Sequence, residues 1–225
     1  MFIGHFAVGL GAKAAAPKTS LGTLFLASQF VDLLWPTLLL LGFERVHIAP
    51  GITSVTPLDF EWYPISHSLL AVTGWAVLVA LVYQAARKYT PGAIVLGLAV
   101  LSHWFLDLVV HRPDLPLVPG GSMKVGMNLW NSLAGTFIVE MGLFAVGLVL
   151  YLRKTNARDA VGRWGLWALI VLLMGIYLGN LFGPPPPSVA AIAWVGQSQW
   201  LLVLWGYWVD RHRTAIEPAL RSAYT

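Results

Sequence analysis

Six stretches of the chain stay apolar for long enough to cross a membrane and then stop at charged or helix-breaking residues: Leu21–Gly42, Pro64–Ala86, Gly92–His111, Leu129–Leu152, Trp164–Phe182 and Val189–Val209. The last is as long as the others but richer in tryptophan and glutamine. An α-helix needs about 20 mostly apolar residues to traverse the hydrocarbon layer, so each run predicts one span. The breaks are Thr90-Pro91, the stretch from Pro113 to Gly121 and the Pro184–Pro187 tetrad, none of which continues a helix. Pro36 lies inside the first run and predicts a kink there. Residues 2–16 form a further apolar segment, too short to span, that predicts a membrane helix turning at about Pro17–Ser20 into the first full span. Ala14-Ala15-Ala16 resembles a signal-peptidase site, but no positive charge precedes the apolar stretch and Lys13 interrupts it, so the segment is expected to be retained.

The pattern therefore predicts an all-α fold, a polytopic transmembrane helical bundle of six full spans plus a short N-terminal membrane helix. It forms a single integral membrane domain over residues 1–225. Composition agrees. With 57% hydrophobic residues, 11% charged residues and a mean hydropathy of +0.71, the chain is too apolar for a water-soluble domain of its size. The net charge of +4 suggests nucleic acid only until positions are read. Alternate loops place Lys13, Lys18, Arg87, Lys88, Arg153, Lys154, Arg158, Arg163, Arg211, Arg213 and Arg221 on one side and Arg45, Arg112 and Lys124 on the other. That asymmetry assigns the first side, and the C-terminus, to the cytoplasm of a bacterial-type inner membrane. No nucleic-acid partner is expected, membrane lipids are, and no protein partner is indicated. The chain has no cysteine, which excludes disulfides, iron–sulfur clusters and thiol nucleophiles, so any metal must be held by nitrogen and oxygen.

Ionisable residues inside spans cost about 2.5–3.5 kcal/mol each on insertion scales, so each asks for a partner and a purpose. His5, Asp32, His67, His103, Asp107, His111 and Glu140 all fall in apolar segments. Counted from the cytoplasmic turns at a 1.5 Å rise per residue, they lie in the middle or outer half of the bilayer, with His5 and Asp32 level with each other. His103, Asp107 and His111 follow at i, i+4 and i+8 and predict one polar stripe; a carboxylate one turn from an imidazole presents two metal ligands together. An isolated histidine is usually a hydrogen-bonded packing residue, a reading that suits His111 near a helix end, while His47 and His212 are loop residues. His5, Asp32, His67, His103 and Asp107 are costly residues on four helices at compatible depths, which predicts a shared site.

Imidazoles and carboxylates without sulfur suit a divalent ion, zinc first, with manganese, iron and magnesium as alternatives. Such an ion makes bound water nucleophilic near neutral pH, and a nearby carboxylate can take its proton during attack on a lipid ester or phosphoester. Glu140 and His111 are the acid/base candidates. Asp59 and Glu61, just outside the third run, stand where they can gate entry. No HExxH or GxSxG sequence occurs. The tryptophans Trp35, Trp62, Trp104, Trp130, Trp164, Trp200 and Trp208 suit an interfacial belt. Gly9, Gly11, Gly142 and Gly147 suit close helix packing.

Gly4-His5-Phe6-Ala7-Val8-Gly9, Val31-Asp32, Ser66-His67-Ser68-Leu69 and Ser102-His103-Trp104-Phe105-Leu106-Asp107 resemble successive motifs of the bacterial inner-membrane metal-dependent hydrolases, a family also described as LexA-binding. The resemblance covers the chain up to about His111 and implies that His5, Asp32, His67, His103 and Asp107 match that family's metal ligands or their close partners. It makes residues 1–111 the metal-site half and 112–225 the supporting helices. The chain departs from the family at Leu33-Leu34-Trp35, where a second acidic or histidine residue is common, and at Glu61-Trp62-Tyr63-Pro64, where a His-Arg pair is. Three rival readings remain: an ion- or proton-coupled transporter, a haem-binding subunit, and a non-catalytic subunit or scaffold of a membrane complex.

Overall fold

Four serines and one aspartate near the starts of apolar runs mark where half of the described helices start. In the computed structural model, which describes residues 1–216, the helices are α1 (Ile3–Ala12), α2 (Leu21–Ser28), α3 (Phe30–Leu40), α4 (Pro64–His67), α5 (Leu69–Arg87), α6 (Thr90–Val110), α7 (Leu133–Lys154), α8 (Ala160–Phe182), α9 (Val189–Gln197) and α10 (Gln199–Arg211). Ser20, Ser68, Ser132, Asp159 and Ser188 each accept a hydrogen bond from the backbone N–H three residues on, closing the first turns of α2, α5, α7, α8 and α9. Arg221 and the C-terminus, which the charge count assigns to the cytoplasmic side, lie outside the described residues.

Among the described residues, five spans are long and apolar enough to cross a membrane: α5, α6, α7, α8 and α9–α10 taken together. The pair α2–α3 makes a sixth, bent by 58°. This is an all-α polytopic protein. α1, at 10 residues, is about 15 Å long and reaches roughly halfway through a bilayer. Among the described residues, three two-stranded antiparallel pairs that the apolar pattern does not announce finish the ends: β1 (Arg45–Ile48) with β2 (Leu58–Trp62), β3 (Leu115–Pro116) with β4 (Lys124–Val125), and β5 (Thr155–Ala157) with β6 (Arg213–Ala215). The first two lie in the 43–63 and 112–128 loops and define a loop end. The third lies at the opposite, basic end.

Several expectations change on folding. The first long run breaks at Gln29, not at Pro36, which sits within α3. Pro36 lacks the N–H that would bond the Asp32 carbonyl, and that carbonyl receives the Gln199 side-chain amide at 3.5 Å from the α9–α10 junction instead. His111 leaves the helix at the end of α6 with extended backbone angles (φ −63°, ψ 148°), so the predicted polar stripe shortens to His103 and Asp107. Trp35 and Trp104 are buried and so do not belong to an interfacial belt; Trp35 packs on Phe60 and His67. Trp62, Trp164, Trp200 and Trp208 are exposed, as a belt requires.

α1 lies against α7 at a very close crossing. A Cβ built on Gly147 would fall 2.3 Å from the Ala7 carbonyl oxygen, so only glycine fits there. Gly142 has no atom within 4 Å of such a position and has no packing role of this kind. The core has two apolar clusters. One gathers Phe6, Leu10, Phe25, Phe144, Leu169 and Leu173, the other Leu24, Val31, Trp35, Val72, Leu96 and Val100. α1 feeds the first and α6 the second, and the buried polar residues come from elements of both.

Candidate metal centre

His103 is fully buried on α6. Its Nδ1 lies 3.0 Å from the Ser28 carbonyl, in the bend between α2 and α3. A carbonyl can only accept, so Nδ1 carries the proton and donates. The other nitrogen, Nε2, then offers a lone pair. It has no hydrogen-bond partner among the described residues and faces Asp107 Oδ2 at 3.3 Å and Asp32 Oδ1 at 3.6 Å.

His67 reaches the same place from the short helix α4 with the same tautomer. Glu44, buried in the loop after α3, accepts from the backbone N–H groups of Ile65 and Ser66 at 2.8 Å each and from the Ser66 hydroxyl. The hydroxyl has one proton and gives it to the carboxylate. Its oxygen, 2.6 Å from His67 Nδ1, therefore accepts from that nitrogen. His67 Nε2 is left bare, 3.6 Å from Asp32 Oδ1 and 3.8 Å from Asp107 Oδ2. His5, from α1, stacks on His103 with ring centroids 3.5 Å apart and planes within 7°. Its Nε2 is 3.1 Å from Asp107 Oδ1, and its Nδ1 has no partner. The Met1 α-amino group also donates to Asp107 Oδ1.

Two triads result, His5–His103–Asp107 and Asp32–His67–His103, in each of which the ligand atoms lie within 4.8 Å of one another. They share His103. Nitrogen–oxygen separations of 3.3–3.8 Å are long for hydrogen bonds between imidazole and carboxylate. Three of the four fall in the ~3.3–3.6 Å between neighbouring ligands of a tetrahedral ion with bonds of about 2.0–2.2 Å, and His67 Nε2 to Asp107 Oδ2, at 3.8 Å, lies just beyond it. The donor set is nitrogen and oxygen only, suited to zinc, manganese, iron or magnesium. Asp32 is the most open member, with a side chain 23% exposed against 4% or less for the other four.

The other two expected site residues lie apart from these triads. Glu140 Oε2 accepts from the backbone N–H groups of Phe2 (2.9 Å) and Gly4 (3.2 Å), so it caps α1 from across the helix pair, where Phe2 supplies no side-chain cap. Glu140→Ala is expected to cost about 1–3 kcal/mol of stability by leaving these N–H groups unpaired, and Glu140→Gln much less. Thermal unfolding in detergent compares them, and equal losses would contradict the capping role. His111 Nδ1 donates to Asp114 Oδ1 (2.9 Å), under Trp130 and Phe60, whose ring centroids lie 4.3 Å and 4.8 Å from its own. Tyr63 donates to Asp114 at 3.2 Å and lies 5.0 Å from the His67 ring, joining the two layers. Asp59 pairs with Arg112 at 2.6 Å on the loop end, and the Glu61 carbonyl accepts from Lys124.

Sequence reasoning did not find Ser28, Gln29 or Glu44. The Gln29 amide, fully buried beside Ser28 at the helix break, has neither its donor nor its acceptor paired. An uncharged Ser-Gln pair in an apolar run carries little signal. Glu44 reads as a loop charge, and nothing local links it to Ser66. If Glu44 and Ser66 set the His67 tautomer, Ser66→Ala is expected to weaken metal binding about 10–100-fold, as loss of such outer hydrogen bonds does elsewhere. Metal-buffer titration measures it, and wild-type affinity in the variant would exclude the relay.

A family model described as YdjM inner membrane protein matches residues 63–183, more than half of the chain. The chain belongs to that family. It is accordingly a multi-pass inner membrane protein of a bacterial family, in keeping with its apolar helices. The matched stretch contains His67, His103, Asp107, His111 and Glu140, and leaves His5 and Asp32 outside it. Comparison with the curated proteins and with the solved structures found no match.

Proposed function

We propose that this protein is a membrane-embedded metal-dependent hydrolase acting on a lipid or phosphoester from the outer half of the membrane. The observation that carries the reading is His103 Nε2, a buried lone pair without a partner, aimed between two carboxylates and held there by the Ser28 carbonyl. A ring set this way satisfies its buried nitrogen by binding a cation. When bound, a divalent ion, zinc first, supplies Lewis acidity and an acidified water.

The protein's own groups do the rest. His67 and His103 present bare Nε2 atoms, and Asp32 and Asp107 supply anionic oxygens that offset the ion's charge. His5 holds Asp107 Oδ1 and completes the second triad. Asp32, on the open side, stands nearest an entering substrate. His111, oriented by Asp114 and one ring away from His67, keeps the acid/base assignment, while Glu140 seats α1 and with it His5. The burial of the other ligands among membrane helices favours a substrate arriving from the bilayer.

Elemental analysis of gently purified protein tests the proposal first. Stoichiometric divalent metal in the wild type and its loss in Asp32→Ala are expected, followed by release of phosphate or fatty acid from glycerophospholipids in mixed micelles. No metal in the wild type would sink the reading. An ion-coupled transporter is the second reading, favoured by the bent span α2–α3, where the Asp32 carbonyl receives the Gln199 amide from the α9–α10 junction. Metal uptake by proteoliposomes without lipid turnover would select it.

A further inference from the structure

At the basic end, the turn between α1 and α2 lies beside the turn between α5 and α6. Thr19 Oγ1 is 3.0 Å from the Tyr83 hydroxyl, and Lys18 Nζ stands 5.9 Å from the centre of the Tyr89 ring. Between the two turns is a cavity of about 260 Å³ lined by Lys18, Tyr83, Arg87, Lys88 and Tyr89. Three cations and two phenols line it, and no carboxylate does. Two other cations of this end are engaged: Lys13 bonds Asp210 and the Thr19 carbonyl, each at 2.8 Å, and Arg213 bonds Thr155 and the Gly162 carbonyl. Lys18, Arg87 and Lys88 make no side-chain hydrogen bond or ion pair among the described residues.

Backbone conformation adds an independent observation. Lys88 terminates α5 in the left-handed region (φ 50°, ψ 37°), the position where glycine is usual because other residues pay roughly 1–2 kcal/mol. Here a lysine takes that conformation, and it lines the cavity. The amino ends of α2 and α6 also lie at this end, and their free N–H groups add positive potential. The position is at the ends of spans, at headgroup level, where tyrosines sit with the ring in the apolar layer and the hydroxyl outward.

We propose that this pocket binds the phosphate of an anionic phospholipid headgroup, in the leaflet that the loop charges assign to the cytoplasm. Lys18, Arg87 and Lys88 neutralise the phosphate, the tyrosine hydroxyls donate to its oxygens, and the acyl chains lie along the exposed apolar faces of α5 and α6, where Leu78, Leu81, Val82 and Ile94 are open. The pocket shares no residue with the metal-ligand set and stands whether or not the hydrolase reading does.

The test uses the full chain in phosphatidylcholine nanodiscs titrated with phosphatidylglycerol, with retained lipid counted by native mass spectrometry. Saturable retention of phosphatidylglycerol over phosphatidylcholine is expected. Lys18→Gln and Arg87→Gln should each weaken it about five-fold, and the triple variant with Lys88→Gln on the order of 100-fold. The matched control Arg153→Gln/Lys154→Gln/Arg158→Gln removes the same charge from the same end outside the pocket and should leave retention within about two-fold, since screened surface charges act weakly at distance. Equal losses in the pocket and control variants would overturn the proposal in favour of diffuse surface charge. Equal retention of both lipids would overturn it outright, and saturable binding of inorganic phosphate alone with no lipid preference would replace the headgroup by a free phosphate.

Discussion

His103→Ala is expected to remove stoichiometric metal from the protein, with affinity down by well over the roughly 10–100-fold that follows loss of an outer hydrogen bond. His103 is common to both triads, so its removal leaves neither with three ligands. Loss of the ion would leave the Asp32 and Asp107 carboxylates facing one another uncompensated, and breaking a buried charged arrangement by removing one partner costs about 3–5 kcal/mol. The variant should therefore unfold at lower temperature than the wild type and should not respond to chelator. The wild type should respond, because an ion at 100 times its Kd stabilises by about 2.7 kcal/mol. Asp107→Asn, which keeps shape and loses charge, should fall between the two. A His103→Ala protein that retains one ion per chain would remove His103 from the ligand set, and a wild type indifferent to chelator would remove the metal.

The second large effect concerns packing. Gly147→Leu is expected to abolish the folded bundle or shift its unfolding sharply downward, because even the first side-chain carbon would lie 2.3 Å from the backbone oxygen of Ala7. Overpacking commonly costs about 1–3 kcal/mol where side chains can yield, and a backbone carbonyl in a helix yields less. The separation of α1 from α7 would carry His5 away from Asp107 and draw Phe2 and Gly4 off Glu140, so metal content should fall with stability. Gly142→Leu, on the same helix with open space around it, is the control and should be close to neutral. Wild-type stability and metal content in Gly147→Leu would contradict the close crossing.

The apolar runs made most of the fold legible, since a helix is the only way for a single short segment to satisfy its backbone polar groups inside lipid. Runs ending at Ser, Pro and charged residues correspond to α5, α6, α7 and α8 within a few residues at each end. The helix break was harder to read. Pro36 carries the conspicuous signal, yet a partner amide from Gln199 takes up the carbonyl that it frees, and the bend falls at a Ser-Gln pair with no breaker. Trp35 and Trp104 were equally opaque, because their distance from a span end does not say which way the ring points.

For the site, the cost of placing Asp32, His67, His103 and Asp107 inside apolar spans was readable from their positions in the sequence, as was the expectation that such residues find one another. What they would do together was not. Glu140 and His111 satisfy the same cost rule, but folding gives Glu140 to the backbone of α1 and His111 to Asp114 and Trp130. Hydropathy and charge order thus determined by themselves that this is a helical multi-pass membrane protein with costly polar residues at shared depth, because both depend only on the solvent that each segment meets. Tertiary structure alone decided which imidazole nitrogens are bare, through the Ser28 carbonyl and the Glu44–Ser66 pair, because a tautomer depends on partners far away in the chain.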